Sequence, residues 1–145
     1  MQIHRRVTTA ASPDSAFGFM ADFTSTNEWD PGTVRTVRTE GDGGVGTVYE
    51  NVSTFLGRET RLRYVVREYV PYTRIALRGE NATTVARDTI TVTQDSEGRT
   101  QVDYHAQFSF RGFARLVAPL FAPAFRRLGD EAEEGLKEAL DRLGA

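Results

Sequence analysis

The stretch Ser12-Pro13-Asp14-Ser15-Ala16-Phe17-Gly18-Phe19-Met20-Ala21-Asp22-Phe23, running on to Trp29-Asp30-Pro31, constrains the fold most. Ser12 can accept from the first free amides of a helix, Pro13 suits the first helical position, and Asp14 complements the positive end of the dipole. Ala16, Phe17, Met20 and Ala21 then fall on one helical face, so the segment reads as a core-packing helix. Phe23 closes it, and Thr24 or Ser25 can cap a second short helix. Trp29, the only tryptophan, stands in the polar stretch Asn27-Glu28-Trp29-Asp30-Pro31, where no periodic pattern calls for it. It either plugs the end of a core or lines the mouth of a pocket.

Before this helix, Gln2 to Thr9 reads as one strand. After it come β-like runs at about Val34–Thr39, Gly46–Phe55, Glu59–Tyr69, Thr73–Arg78, Thr83–Thr93 and Thr100–Phe110. The runs are rich in β-branched and aromatic residues and are separated by turn signals such as Gly41-Asp42-Gly43-Gly44 and Asp95-Ser96-Glu97-Gly98. A seven-stranded antiparallel meander is predicted. Alternation puts Val102, Tyr104, Ala106, Phe108 and Phe110 on one face of the last strand and His105 on the other. In the preceding strand Asp88 shares the apolar face with Ala86, Ile90 and Val92. That carboxylate is either a strand-end residue beside solvent or an arginine, or a polar anchor inside a cavity. Leu62, Tyr64, Val66 and Glu68 also share a register, opposite an arginine-rich face.

From Phe113 onward, apolar residues recur at three- and four-residue steps, which predicts an amphipathic helix. Pro119 and Pro123 each remove a backbone donor, so its first part should be bent or separate before a regular stretch from about Ala124. Leu116 to Phe125 is unusually apolar, with Arg111, Arg115, Arg126 and Arg127 around it. Core packing is the plain explanation, and contact with a lipid surface the alternative.

At 145 residues the sequence suits a single domain, 1–145, that buries about two thirds of its extended surface. Eighteen basic and twenty acidic residues leave a near-neutral balance, which gives no field to gather nucleic acid. No cysteine is present, which excludes disulfides, thiolate catalysis and sulfur-ligated zinc. The start of the chain carries no signal-peptide pattern, and no window approaches the ~20 apolar residues of a membrane span, so a cytoplasmic location is expected. Gly41-Asp42-Gly43-Gly44-Val45-Gly46 formally satisfies GxGxxG, yet it joins two strands and reads as a hairpin loop instead of a phosphate cradle. With His4 and His105 as the only histidines, neither a metal cluster nor a Ser/His/Asp triad is indicated. Asp88, Tyr104, Tyr64 and Glu68 are the groups that burial could turn toward acid–base work, and spacing names no catalytic set among them.

The order of one strand, two short helices, a six-stranded meander and a long C-terminal helix resembles the SRPBCC superfamily, the START-like helix-grip fold, and within it the polyketide cyclase/dehydrase-like family. The resemblance is carried by Ser12-Pro13-Asp14 with Phe17, by Trp29-Asp30-Pro31, by Gly44-Val45-Gly46-Thr47, by Tyr64-Val65-Val66-Arg67-Glu68-Tyr69-Val70-Pro71 and by the terminal helix. It implies an α+β fold in which a curved seven-stranded sheet wraps around the helix and leaves a deep apolar cavity between them. Phe23, Trp29, Tyr49, Phe55, Tyr64, Leu77, Asp88, Ile90, Tyr104, Phe108, Phe121 and Phe125 would line that cavity. The segments near Trp29 and from Phe113 to Phe125 would act as lids.

Such walls suit a polyketide, isoprenoid or other lipid-like molecule. The expected function is therefore binding of a hydrophobic small molecule, with no cofactor, no metal, no nucleic-acid partner and no membrane contact. Two alternatives stand beside it: a polyketide cyclase or dehydratase that uses cavity acid–base residues, and a module that acts through its surface on a protein or membrane.

Overall fold

The computed structural model describes residues 1–144. Seven strands form one antiparallel sheet in the order β1-β7-β6-β5-β4-β3-β2. They are β1 (Gln2–Thr9), β2 (Thr33–Glu40), β3 (Val48–Phe55), β4 (Arg58–Val70), β5 (Arg74–Glu80), β6 (Thr84–Gln94) and β7 (Thr100–Phe110). β2 to β7 are a meander, and β1 closes it by pairing with β7. The predicted strands are all present, and their ends differ by at most two residues. Between β1 and β2 the chain forms α1 (Pro13–Ala21), a 3₁₀ turn (Phe23–Ser25) and α2 (Thr26–Trp29). Ser12 Oγ accepts from the Ser15 amide at 3.1 Å, and Asp22 caps the 3₁₀ turn through the Thr24 amide.

At the C-terminus, Pro119 and Pro123 divide the apolar stretch as expected. α3 (Phe113–Val117) leads into a 3₁₀ turn (Ala118–Phe121), and α4 (Ala122–Gly144) then runs unbroken with Pro123 in its first turn. Among the described residues, no helix is long and apolar enough to cross a membrane.

α4 approaches β1 and α2 closely because it carries small residues where they meet. A Cβ at Gly129 would press on Ile3 and Arg5, and one at Gly135 would overlap the Trp29 carbonyl oxygen. Ala132, Leu136, Ala139 and Leu140 between and beyond them are buried. Arg5 fastens the same face by donating to Asp130 Oδ1 at 2.9 Å and to the Arg126 carbonyl oxygen at 3.3 Å. α1 packs across β5, β6 and β7 and seals that end of the inner face.

Two local features redirect side chains. The Gly41–Gly46 stretch is a loop whose Gly41, Gly43 and Gly46 take positive φ. A register shift between Val66 and Glu68 breaks the alternation of β4, which bends the strand and resets its faces. Glu68 is consequently on the surface, paired with Arg74 at 3.1 Å, and not on the face of Tyr64. His4 and His105 are cross-strand partners with ring centroids 4.8 Å apart, and His105 bonds to Gln2 Oε1.

Helix propensity alone would favour alanine over either helical glycine by about 1 kcal/mol. Gly18 in α1 has open space around its Cα, so Gly18→Ala should raise stability by about 0.5–1 kcal/mol in urea melts. Gly135→Ala should instead cost about 1–3 kcal/mol, because α2 must retreat from α4. Equal effects of the two substitutions would show that the close approach does not constrain the fold.

Candidate functional site

Small residues on the inner face of the sheet seat Tyr64 and flank Asp88. Gly79 on β5 pairs with Ala86 on β6, and Asp88 on β6 pairs with Ala106 on β7. A Cβ at Gly79 would collide with the ring of Tyr64, which lies across it from β4. Between Tyr64, Asp88 and Tyr104 on the sheet and Phe125, Leu128 and Ala132 on α4 lies a cavity of about 160 Å³. Its deep end is formed by Phe23, Trp29, Tyr64, Asp88 and Tyr104, all buried. Phe55, Thr60, Thr84 and Phe110, which are half-buried, surround the other end, where β3 and β7 finish and β6 begins. Thr84 and Asp88 are four residues apart on β6, so the polar floor lies about 13 Å below the rim.

Of the residues expected to line the cavity, Phe23, Trp29, Phe55, Tyr64, Asp88, Tyr104, Phe108 and Phe125 do so. Tyr49, Leu77, Ile90 and Phe121 are not brought to it. Leu77 and Ile90 are sealed in the core, and Tyr49 packs behind Phe23 with ring centroids 5.8 Å apart. Phe121 stands outside, edge-on to Phe55 at 6.4 Å. Trp29 is 2% exposed and plugs the closed end. Its indole nitrogen donates to Ser25 Oγ at 3.2 Å, and its ring meets Tyr104 edge-on at 5.2 Å.

The polar side of the cavity is largely satisfied from within. Thr33 Oγ1 donates to Asp30 Oδ2 at 2.9 Å, and the Gly32 amide donates to Asp30 Oδ1 at 3.0 Å. Asn51 Nδ2 bridges Thr33 Oγ1 and Thr36 Oγ1, and Thr36 Oγ1 shares a proton with Thr26 Oγ1 at 2.6 Å. Asp30 was not among the residues expected at the site. Its Asx-type bond to Gly32 is legible in Asp30-Pro31-Gly32, but the packing of α4 that half-buries it is not.

Asp88 differs from all of these. It is 2% exposed, and Oδ2 accepts from the Tyr104 hydroxyl at 3.1 Å, whereas Oδ1 has no partner among the described residues. Among the same residues, neither lysine, arginine nor histidine lines the cavity. Burial drives the Asp88 pKa up to about 7; the Tyr104 bond opposes the shift and the Asp30 charge adds to it. Burial also raises Asp30, against its bonds to Gly32 and Thr33. The Tyr104 and Tyr64 hydroxyls are pushed well above the usual tyrosine range by burial and by the Asp88 and Asp30 charges. Both tyrosines are therefore neutral donors near pH 7, while Asp88 can hold or release a proton.

The mouth is aromatic. Phe125 on α4 packs against Phe55 at 4.6 Å, Phe108 at 5.4 Å and Phe110 at 6.0 Å. Beside it α3 and its 3₁₀ turn expose Phe113 (77%), Leu116 (74%) and Leu120 (76%), an apolar surface next to Arg111 and Arg115.

A buried carboxyl with a raised pKa has a signature in stability. Below about pH 4 Asp88 is protonated whether the chain is folded or not, and its burial costs least there. As pH rises from about 4 to 7 the unfolded chain releases the proton first, so stability falls and then levels off above the folded pKa. Asp88→Asn removes this dependence. The variant should unfold close to wild type at pH 4 and be more stable by a few kcal/mol at pH 8. Thermal melts across this range that show the variant less stable at pH 8 would refute the assignment.

The fold and the cavity can be set beside known proteins. No curated protein sequence matches the chain. Among solved structures, TTHA0849 from Thermus thermophilus superposes with a TM-score of 0.79 at 14% identity, over 97% of each chain. A START superfamily protein from Mycobacterium smegmatis gives 0.73 at 12% identity, over 98% of each chain. The Zhui aromatase/cyclase from Streptomyces sp. R1128 gives 0.67 at 20% identity, over 99% of this chain and 86% of that one. At these identities the likeness concerns the fold. The model of the family described as polyketide cyclase / dehydrase and lipid transport matches residues 1–143, and the chain belongs to that family.

Proposed function

We propose that this chain binds a hydrophobic small molecule in the cavity between the sheet and α4. The observation that carries this reading is the space itself. The chain has nine phenylalanines, enough to fill its interior, yet about 160 Å³ stays open between the sheet and α4 beneath an aromatic rim. A void of that size takes roughly one six-membered ring. Drug-sized ligands need about 300 Å³ or more. A longer polyketide or lipid therefore enters only if Phe55 and Phe125 part, which the exposed α3 segment at the mouth permits. Affinity comes from burial, at about 25 cal/mol per Å² of apolar surface.

Phe108 lines the cavity and is only half-buried, so a larger ring there fills space without disrupting the sealed core. Toluene titrated into the wild-type protein should bind. In Phe108→Trp its affinity should fall at least tenfold while circular dichroism stays unchanged. Equal toluene binding in a folded Phe108→Trp protein would exclude this cavity as the site.

Acid–base catalysis on a polyketide is the second reading, and the Asp88–Tyr104 pair favours it. A carboxyl with a pKa near 7 can both give and take a proton at neutral pH, and it touches a neutral phenol. A linear poly-β-ketone would then cyclise faster with the protein than in buffer, by about 10²–10⁴-fold. Asp88→Asn would abolish the acceleration while retaining toluene affinity. If the polyketone is bound but not accelerated, the protein is a carrier.

A further inference from the structure

We propose that Asp88 selects the ligand, and that the cavity takes a small ring compound carrying a hydrogen-bond donor, a hydroxyl or a protonated amine, and refuses carboxylates. This rests on the cavity being the ligand site and specifies what that site reads.

The argument begins from the orphaned oxygen. A buried carboxylate oxygen without a donor is costly, and native interiors rarely tolerate one. Nothing among the described residues relieves it. Asp88 lies between Leu77 on β5 and Ala106 on β7 in the sheet, and neither offers a proton. The titratable groups that face it are Tyr104 on β7, already bonded to Oδ2, Tyr64 on β4, and Asp30 beyond α2. Across the cavity α4 presents only Phe125, Leu128 and Ala132. Oδ1 therefore requires a donor that the chain does not provide, at the closed end of a space about one ring wide.

Charge narrows the choice further. Asp30 and Asp88 both border the cavity, and no cation does so among the described residues. A ligand carboxylate would meet two acidic groups in a low-dielectric space, whereas a hydroxyl satisfies Oδ1 and an ammonium also offsets its charge. The raised pKa of Asp88 agrees with this, since a group held out of water without a counter-ion favours its neutral form.

Four one-ring probes separate the possibilities: toluene, benzyl alcohol, benzylamine and benzoate, titrated calorimetrically at pH 8 and pH 5.5. In the wild-type protein at pH 8, benzyl alcohol and benzylamine should bind at least as tightly as toluene, despite their stronger hydration. Benzoate should bind at least a hundredfold more weakly. At pH 5.5 the advantage of benzylamine over toluene should shrink at least tenfold, because Asp88 takes up a proton. In Asp88→Asn the side-chain oxygen can accept from Tyr104, which turns the amide nitrogen toward the cavity. Benzylamine should then lose at least tenfold relative to toluene, and benzoate should gain relative to toluene.

Toluene binding together with an unaltered benzylamine-to-toluene ratio in Asp88→Asn would overturn the selection by Asp88 and leave the cavity standing. So would benzoate binding to the wild type as tightly as benzylamine does. If no probe binds, toluene included, both the cavity reading and this inference fall.

Discussion

The structure depends on how closely α4 can approach its neighbours along its length. At Gly129 and Gly135 the absence of side chains lets Ile3, Arg5 and the Trp29 carbonyl come against the helix backbone. At Phe125, by contrast, a large ring meets three others. The helix is thus clamped through small residues along its middle and held off the sheet by aromatic rings near its start. A sheet curved by a meander and by the β4 bulge cannot follow both spacings, and the difference becomes the cavity. Filling it by collapse would require α4 to tilt inward, which the contact at Gly135 opposes.

Asp88 is a cost to stability that no structural role in the fold offsets. Its neighbours Leu77 and Ala106 would pack equally well around an apolar residue, and its bond with Tyr104 satisfies only one of two oxygens. The polar network of Asn51, Thr36, Thr33 and Thr26 shows what a structural set of buried groups looks like in this protein, since each member has partners and the set ties α2 to β2 and β3. Asp88 does not share that pattern. On the proposed reading, a group that costs stability and joins no structural network is kept for its ligand.

Much of this was legible in the sequence. Turn residues and alternation gave all seven strands, Ser12-Pro13-Asp14 marked the start of α1, and the two prolines divided the terminal helix. Alternation also placed Asp88 on the inner face. It could not decide which inward residues see empty space, because that depends on what lies opposite. Leu77 and Ile90 face inward beneath α1 and are core, whereas Phe110 and Thr84, in equivalent registers, reach the cavity. Glu68 was misplaced because a bulge shifts the period by one, and no residue type announces it. Asp30 was overlooked since its burial comes from a helix about a hundred positions away in the chain.

The rim rather than the floor sets the upper size of a ligand. Phe55, Phe108, Phe110 and Phe125 meet from three different elements, so no single rotation opens the mouth. α4 contributes one of these rings, and α3 and the 3₁₀ turn that precede it carry exposed apolar residues and hold little of the core. Segments with few buried contacts open at the lowest free energy. Displacement of α3 together with the 3₁₀ turn would carry Phe121 from Phe55 and loosen the start of α4, which would widen the mouth without disturbing the clamp at Gly135. Division of the terminal helix by two prolines therefore has a consequence beyond local geometry: it separates a weakly packed entrance from a clamped floor, which on the proposed reading would let ligands of different length reach the same carboxylate.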